Sequence, residues 1–369
     1  MKLVAKFGGS SVKNAEAFRR CEQIIASNPD ISVVVVSAVF NTTNDLEMIA
    51  GLGIRDQLGA ELALEALMQR HIEICSELEL DEITYTLIDA IKKDASNIIK
   101  KLSTEKKMDL SLMDEMYSFG ERLSSTILSS FLLKTIPERT PTFLDVRDVL
   151  VTDEHFGYAL PQLDLIYERV NEIKESLFGK LVITQGFIGK SQSGNTTTLG
   201  REGSDYSATL LAEALEVELV QIWTDVAGIA TVDPKLIKTA QFIKEMSYEE
   251  AALLASNGAK ILFPKTLAPI KRKNIPLVVK STFEPELPGT KINNEIKKES
   301  RITGLAIEND TLAVVGINLI EFEDKLNNFF EDFHIKHVRK EEGCMKYLFQ
   351  NPSELHVALY SLHAFLFNE

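Results

Sequence analysis

The sequence has little of what several large classes of protein require. Only three of its 369 residues are cysteine, at spacings that fit neither a disulfide framework nor a metal-binding knuckle. Its apolar runs fall far short of the roughly 20 residues that span a membrane. Its formal net charge is −14, whereas nucleic acids are bound by basic surfaces. The composition therefore predicts a globular protein with neither a nucleic-acid nor a membrane partner.

The start of the chain also lacks a feature, an apolar stretch followed by a cleavage site. The first residues instead have the pattern of a strand, and the rarity of cysteine favours a reducing compartment. We therefore expect a cytoplasmic location.

The common nucleotide-binding motifs are missing as well. The G-x-x-x-x-G-K-[ST] spacing of a Walker A loop occurs neither at the first glycine pair nor around Gly189-Lys190-Ser191. No G-x-G-x-x-G follows a predicted strand, and the kinase triplets H-R-D and D-F-G do not occur. A phosphate site in this chain must therefore use a different fold.

One glycine pair nevertheless lies where a phosphate could bind. Leu3–Phe7 is predicted as a short buried strand and residues 14–26 as a helix, so the pair Gly8-Gly9 fills the turn between them. Lys6, at the end of the strand, sets a positive charge beside free backbone donors. This arrangement suits a phosphate group.

A second turn, residues 196–208, combines hydroxyl residues, two glycines, an arginine and an aspartate just before a helix predicted at 208–216. Glycine lets the backbone approach a ligand, and the N–H groups at a helix start favour an anion. Arg201 is suited to hold a carboxylate or phosphate through two hydrogen bonds. The alternative is plain capping, in which Ser204 or Asp205 is only the N-cap of that helix.

Several further motifs lie between and after the two turns: Val36-Ser37-Ala38 with Thr42-Thr43-Asn44, Phe119-Gly120-Glu121, Thr184-Gln185-Gly186-Phe187-Ile188-Gly189, Trp223-Thr224-Asp225-Val226-Ala227-Gly228-Ile229, Asp233-Pro234-Lys235 and Gly258-Ala259-Lys260. Together with both turns, and in this order along the chain, they resemble the aspartate kinases of the amino-acid kinase superfamily. Each motif alone is weak evidence, and the resemblance depends on their common order over residues 1 to about 295.

The resemblance implies an activity. The γ-phosphoryl group of ATP would pass to the side-chain carboxylate of L-aspartate, giving 4-phospho-L-aspartate and ADP, the first step toward lysine, threonine and methionine. This acceptor is already ionised at neutral pH, so the reaction needs no general base. Catalysis is then expected to depend on positioning and charge neutralisation. Mg²⁺ is implied by the nucleotide, held mainly by phosphates and waters, with no metal ligand from the protein.

The candidate site residues form three overlapping sets. The catalytic set is Lys6, Asp205 and Lys260. In this set, Lys6 is expected to neutralise the oxygens of the transferring phosphoryl group, and an ion pair with Asp205 is expected to hold Lys6 in place. By the resemblance, the aspartate site consists of Ser37, Thr43, Glu121, Phe187, Arg201, Ser204 and Asp205. Within it, Glu121 is expected to face the α-ammonium group and Arg201 the α-carboxylate. The nucleotide site consists of Lys6, Gly8, Gly9, Ser10, Thr224, Asp225, Lys235 and Lys260.

Other interpretations of these residues stay open. Glu121 falls in a predicted helix, where a lone glutamate is usually a solvated surface charge. Lys260 would ordinarily be exposed, as most lysines are. Thr224-Asp225 could be an Asx turn that ends a strand.

Three positions depart from the family pattern. Glu202 stands where glycine is common, Ala230 where tyrosine is frequent near the base, and Lys235 where arginine is frequent near the phosphates. Lysine keeps the charge of arginine but loses its two-pronged geometry. These departures bear on ATP affinity more than on the type of reaction.

The predicted architecture is α/β, a three-layer fold with a mostly parallel sheet sandwiched by helices. Short apolar runs, typical of strands covered on both faces, alternate with helical stretches. The predicted strands are residues 3–7, 33–36, 181–184, 219–223 and 277–279, and the predicted helices are 58–78, 83–102, 111–133, 163–177 and 248–256. Ligands in such sheets bind beyond the carboxyl ends of the strands, where Lys6, Ser37 and Thr224 lie.

A composition shift divides the chain into a predicted catalytic domain, residues 1–295, and a C-terminal domain, 296–369. The order of strands and helices in the second resembles a shortened ACT module, a small α+β regulatory fold, without a visible closing strand. Such a module leaves a strand edge unpaired, so we expect a homodimer. With half the usual effector surface, lysine or threonine is expected to inhibit weakly or not at all. The alternative is that the C-terminal segments of two subunits together form one effector pocket across the dimer.

Two other functions stay open beside an active aspartate kinase. One is another phosphotransferase of the same superfamily, and the joint presence of the motifs at residues 119–121 and 196–205 argues against it. The other is a non-catalytic, kinase-like amino-acid sensor or partner subunit. Such a protein should have lost at least one charged group of the site. The charged groups are nevertheless all present in the sequence: Lys6, Glu121, Arg201, Asp205 and Lys260.

Overall fold

A computed structural model describes residues 1–259, 262–295 and 299–367. The chain divides into two compact units, Met1–Asp225 and Val226–Glu369. The predicted domain boundary after residue 295 falls within the second unit, and it stays a prediction. Within the described ranges, none of the helices has the length and apolar character that crossing a bilayer requires.

The first unit alternates strands and helices around one parallel sheet. Its strands are β1 (Leu3–Phe7), β2 (Ile31–Val36), β3 (Pro141–Leu144), β4 (Val151–Thr152), β5 (Leu181–Gln185), β6 (Ile188–Ser191), β7 (Thr196–Thr198) and β8 (Leu219–Thr224). Its helices are α1 (Ala15–Ser27), α2 (Thr42–Gly53), α3 (Gln57–Glu77), α4 (Glu82–Glu105), α5 (Leu110–Thr135), α6 (Leu163–Leu177) and α7 (Gly203–Leu215). The main sheet of this unit has the order β3-β5-β2-β1-β8 with every neighbouring pair parallel, and β4, β6 and β7 form a small second sheet.

Helices cover both faces of the main sheet, which explains why its strands are apolar along most of their length. On one face, Ala5 and Phe7 belong to a core shared with α1 to α5. On the other face, Val33 and Val182 line a small apolar cavity with residues of α6 and α7. The predicted three-layer α/β architecture is confirmed.

The second unit contains two further groups of strands. Its elements are β9 (Glu245–Met246), α8 (Tyr248–Ser256), α9 (Pro264–Lys273), β10 (Leu277–Ser281), β11 (Thr290–Ile292), β12 (Arg301–Glu308), β13 (Thr311–Ile317), α10 (Glu323–Phe330), β14 (Ile335–Glu341), β15 (Cys344–Phe349) and α11 (Pro352–Phe367). β11 pairs with β10 antiparallel and with β9 parallel. The last four strands form an antiparallel sheet of order β12-β13-β15-β14, so β12 and β14 lie at its edges.

Most predicted elements agree with the structure, and α7 differs in a way that matters for the site. The helix begins at Gly203, before the predicted start at residue 208, and its N-cap is Glu202 in a left-handed conformation with φ of 54°. Ser204 and Asp205 therefore lie inside the first turn, and the interpretation of either as the N-cap is wrong. α2 and α9 were not among the predicted helices.

One buried carboxylate fastens β12 to α8 in the second unit. α8 starts with a capping box, in which Glu250 N donates to Ser247 Oγ at 3.1 Å and Ser247 N donates to Glu250 Oε2 at 2.8 Å. The Glu250 side chain also accepts from Arg301 Nη2 at 3.0 and 3.1 Å and from Thr303 Oγ1. Both of these donors belong to β12, so the helix start and the strand share one acceptor.

We expect Glu250→Ala to loosen β12, because the substitution leaves Arg301 without its buried partner and removes half of the capping box. The loss should be about 3 kcal/mol, as for other buried pairs that lose one member, which is roughly a 100-fold fall in protection of the β12 amides from hydrogen exchange. Glu249→Ala is the matched control, because the Glu249 carboxylate in the same turn pairs with Lys271 on the surface. Equal protection in the two variants would contradict the assigned role of Glu250.

Candidate active site

A pocket of about 1070 Å³ lies at the carboxyl-terminal edge of the main sheet, within the first unit. Its walls come from the turns after β1, β2 and β5, from α5 and from the turn before α7. Of the residues predicted for the site, those that line it are Lys6, Gly9, Ser10, Ser37, Thr43, Glu121, Phe187, Arg201, Ser204 and Asp225. The convergence expected from the strand ends is thus present in the structure.

A buried ion pair joins the two glycine-containing turns. Nζ of Lys6 lies 2.5 Å from Oδ1 of Asp205, which belongs to the first turn of α7. Both side chains are nearly inaccessible, with exposed fractions of 8% for Lys6 and 3% for Asp205. Asp205 does not line the pocket itself, so its carboxylate holds the lysine from behind while Lys6 reaches the pocket wall.

The turn after β1 can approach its neighbours because it consists of glycines. A Cβ atom on Gly9 would lie 2.9 Å from the carbonyl oxygen of Ala38, in the turn after β2, and one on Gly8 would lie 3.5 Å from Nζ of Lys6. Gly8 N donates to the carbonyl of Trp223 at 3.1 Å, which links the ends of β1 and β8. In the described part of the chain, no hydrogen-bond acceptor is found for the amides of Gly9 and Ser10, so both stay available to a ligand.

Glu121 is a buried carboxyl group and not the surface charge that its helical position also allowed. Its exposed fraction is 3%, and Oε1 accepts from Ala38 N at 3.2 Å. Oε2 has no hydrogen-bond partner among the described residues. Burial raises the pKa of Glu121 to about 8, although the Ala38 amide and the Lys6 charge oppose this shift. The site therefore holds an acidic group that would gain from a cationic partner.

The wall opposite α5 is formed by close packing around the start of α7. Phe187 has φ of 66°, and its N–H donates to Ser207 Oγ at 2.9 Å. A Cβ atom on Gly203 would lie 2.6 Å from the Phe187 ring, and one on Gly186 would lie 2.5 Å from Cβ of Ser204. Ser204 is nearly buried at this wall, whereas the Arg201 guanidinium is exposed at the pocket mouth.

Besides Asp205, three of the predicted residues that the structure describes are not part of this lining. Gly8 is buried and Thr224 is half-buried, and Thr224 Oγ1 donates to Asp225 Oδ1 at 3.1 Å. Lys235 is exposed in the second unit, where its N–H donates to Asp233 Oδ1 at 2.8 Å. Lys260 lies outside the described residues. The functional roles of the whole set stay predictions.

The pocket also contains residues that sequence analysis missed. Leu110, Met113, Asp114 and Tyr117 line it together with Glu121, and all belong to α5. Their spacing of three and four residues places them on one face of the helix. This spacing, counted back from Glu121, is the signal that could have found them. Burial raises the pKa of Asp114, against the hydrogen bonds that its carboxylate accepts.

Comparison with known proteins shows which family this chain is similar to. The model of the amino acid kinase family matches residues 1–281. The lysine-sensitive aspartokinase 3 of Escherichia coli strain K12 is 36% identical over 332 residues, 89% of this chain and 72% of that protein. The aspartokinase of Chlamydia trachomatis is 36% identical over 336 residues, 88% of this chain and 73% of that protein.

A solved aspartokinase structure is also similar to this chain. The crystal structure of E. coli aspartokinase III in complex with aspartate and ADP, in its R-state, superposes with a TM-score of 0.78 at 30% sequence identity. The match covers 98% of this chain and 84% of that one.

The buried Glu121 carboxyl should make the stability of the ligand-free first unit depend on pH. Its pKa is about 8 in the folded protein and 4.5 as the ordinary value, so the folded state keeps a proton that the unfolded state loses. The stability it contributes is complete below about pH 4.5 and is lost as the pH rises toward 8. This loss of stability can be measured by urea unfolding, monitored through the fluorescence of Trp223, the single tryptophan.

Glu121→Gln removes the titrating group, so the unfolding free energy of this variant should increase relative to that of the wild type as the pH rises. Between pH 5.5 and 8, the difference in unfolding free energy should grow by up to about 1.4 kcal/mol per pH unit. A difference that stays constant over this range would show that the Glu121 carboxyl has the same proton affinity in both states.

Proposed function

The chain belongs to the aspartokinases of the amino acid kinase family, and we propose that its first-unit pocket is where this activity takes place. The reaction is transfer of the ATP γ-phosphoryl group to the side-chain carboxylate of L-aspartate, the first step in synthesis of the amino acids derived from aspartate. The observation that carries the proposal is the Lys6–Asp205 ion pair: Lys6 lines the same pocket as Glu121, whose Oε2 has no hydrogen-bond partner among the described residues.

The chemistry requires two anions to meet, a carboxylate and a polyphosphate. The acceptor is already ionised at neutral pH, so no residue has to remove a proton. What the protein must supply is positive charge and fixed N–H donors at the place where the phosphoryl group passes. Lys6 supplies the charge and the Gly9 and Ser10 amides supply the donors. Because Asp205 fixes Nζ from behind, the lysine is in place before the substrates bind.

The ends of aspartate would bind to opposite walls. Glu121 takes the α-ammonium group, since this contact gives its buried carboxylate the cationic partner that it lacks within the described residues. Arg201, exposed at the mouth, takes the α-carboxylate through its two-pronged guanidinium. Ser37, Thr43, Phe187 and Ser204 complete the predicted pocket for the substrate.

ATP and magnesium would enter from the glycine-turn side. The residues proposed for the nucleotide side are Lys6, Gly8, Gly9, Ser10, Thr224, Asp225, Lys235 and Lys260. Among the described residues, no cluster of three or more acidic, histidine or cysteine side chains forms a metal cage. Mg²⁺, implied by the nucleotide, would be held mainly through phosphate oxygens and waters, where it would offset phosphate charge.

The two alternative functions fit the site less well. A sensor without activity has no need for a buried lysine–aspartate pair at the point where phosphate would bind. Another phosphotransferase of the same superfamily would not be expected to resemble aspartokinases over most of its length. The active kinase accounts for both observations.

Assembly and location stay predictions of the proposal. We expect a homodimer because β14 forms an edge of the C-terminal sheet, and no further strand pairs with that edge within the described residues. Weak or absent inhibition by lysine and threonine, and a cytoplasmic location, likewise follow from the sequence alone.

A coupled assay of ADP release tests the proposal. The wild type should turn over L-aspartate but not L-glutamate, N-acetylglutamate or UMP. Lys6→Ala should lower kcat about 100-fold or more, because it removes charge that stabilises the transferring group. Lys2→Ala is a matched control, since Lys2 precedes the same strand and pairs with Asp30 on the surface. A folded Lys6→Ala variant with wild-type kcat would remove Lys6 from the mechanism.

The substrate contacts give a second kinetic test. Glu121→Ala should raise the KM for aspartate by a factor that corresponds to about 2–5 kcal/mol, the usual effect of leaving a buried charge unpaired. The KM for ATP should change much less. Glu115→Ala, on the same helix but outside the pocket lining, serves as the control. An unchanged aspartate KM in Glu121→Ala would refute the assignment of the ammonium site.

A further inference from the structure

Asp114 is a second buried carboxylate of the pocket, two helical turns before Glu121 on the same face of α5. Its exposed fraction is 1%. Unlike Glu121, it has hydrogen bonds to both carboxylate oxygens, from neutral donors: Gly157 N at 3.0 Å to each oxygen, Thr198 N at 2.8 Å to Oδ2, and Thr198 Oγ1 at 2.7 Å to Oδ1. One side chain thus binds two separate segments of backbone.

Both of these segments lead directly to the mouth of the pocket. Thr198 ends β7 and is followed by the turn that carries Arg201. Gly157 precedes Tyr158, whose ring packs so closely on Gly200 that a Cβ atom there would lie 2.4 Å from it. The two segments are also joined to each other, since Ala159 N donates to the Thr198 carbonyl at 2.8 Å.

The turn that carries Arg201 is therefore held on two sides. Asp114 fixes its start at Thr198, and the Tyr158 ring, which Asp114 positions through Gly157, covers Gly200. Gly200 itself has φ of 79°, a left-handed conformation that only glycine adopts without strain. Arg201 is exposed, and no ion pair of its side chain is found among the described residues, so its placement depends on the backbone of this turn.

We infer that Asp114 is a positioning residue for substrate recognition, which sets the place of Arg201 through its hydrogen bonds to Gly157 and Thr198. The inference rests on the proposed function, in which Arg201 binds the α-carboxylate of aspartate. It extends that function to a residue that touches neither substrate. A side chain needed only to fill space at this point of α5 would not require four hydrogen bonds from two loops.

Asp114→Asn tests the inference with little change of shape. The amide removes the negative charge and replaces one acceptor oxygen with a donor, so at least one of the four hydrogen bonds is lost and the others lose their charge assistance. The KM for aspartate should rise about 10-fold or more, while kcat and the KM for ATP change less than about 3-fold. Combined with Arg201→Ala, the substitution should add almost nothing to the effect of Arg201→Ala alone, because both act on one contact.

An aspartate analogue separates this role from general damage to the fold. 3-Aminopropanoate has the amine and the reacting carboxylate but no α-carboxylate. Its inhibition constant against aspartate should be the same in the wild type and in Asp114→Asn. Thr198→Val, which removes only the hydroxyl donor, should also raise the aspartate KM, by a smaller factor. It provides a second test if Asp114→Asn does not fold.

Asp81→Asn is the matched control. Asp81 also accepts a threonine N–H, at 3.0 Å, and the hydroxyl of the same residue, Thr84, at 2.7 Å, but it caps α4 away from the pocket. Its kinetics should equal those of the wild type. An unchanged aspartate KM in Asp114→Asn, or an effect fully additive with Arg201→Ala, would overturn the inference while leaving the proposed function intact. A wild type that does not phosphorylate aspartate would overturn both.

Discussion

The ion pair between Lys6 and Asp205 is the interaction on which the site depends. It joins the end of a central strand to the first turn of α7, two segments far apart in the sequence. A buried cation is stable only next to a partner, so the pair fixes the distance between the two turns as well as the charge. The glycines on either side let the neighbouring backbones come close enough for this contact to form.

Much of this arrangement could be predicted from the sequence, and the limits have physical causes. Strands such as β1 and β5 are covered on both faces, so their apolar runs are unmistakable, and the parallel order brings their ends together. Lys6 is recognisable because it stands between such a strand and a glycine pair. The start of α7 was misplaced because its N-cap, Glu202, uses a left-handed backbone and no side-chain hydrogen bond, which leaves no capping signal.

The residues of α5 show where local pattern is not sufficient. Glu121 and Asp114 look alike in the sequence, since each is an acidic residue on a long helix. In the structure both are buried, one with an oxygen that has no hydrogen-bond partner among the described residues and the other with four hydrogen bonds from three neutral donors. That difference is created by turns after β2, β4 and β7, distant in the sequence, and no property of the helix itself reveals it. The resemblance to a family supplied Glu121, and only the structure supplied Asp114.

The raised pKa of Glu121 joins substrate capture to the exchange of protons with the solvent. Burial raises the pKa of Glu121 to about 8, so its carboxyl is mainly protonated at lower pH, and under the proposed assignment the ammonium group of aspartate binds to its ionised form. Binding of each aspartate would then release a proton to the solvent, and the affinity for aspartate would increase as the pH rises. Under that assignment, aspartate binding would weaken as the pH falls below the pKa of Glu121.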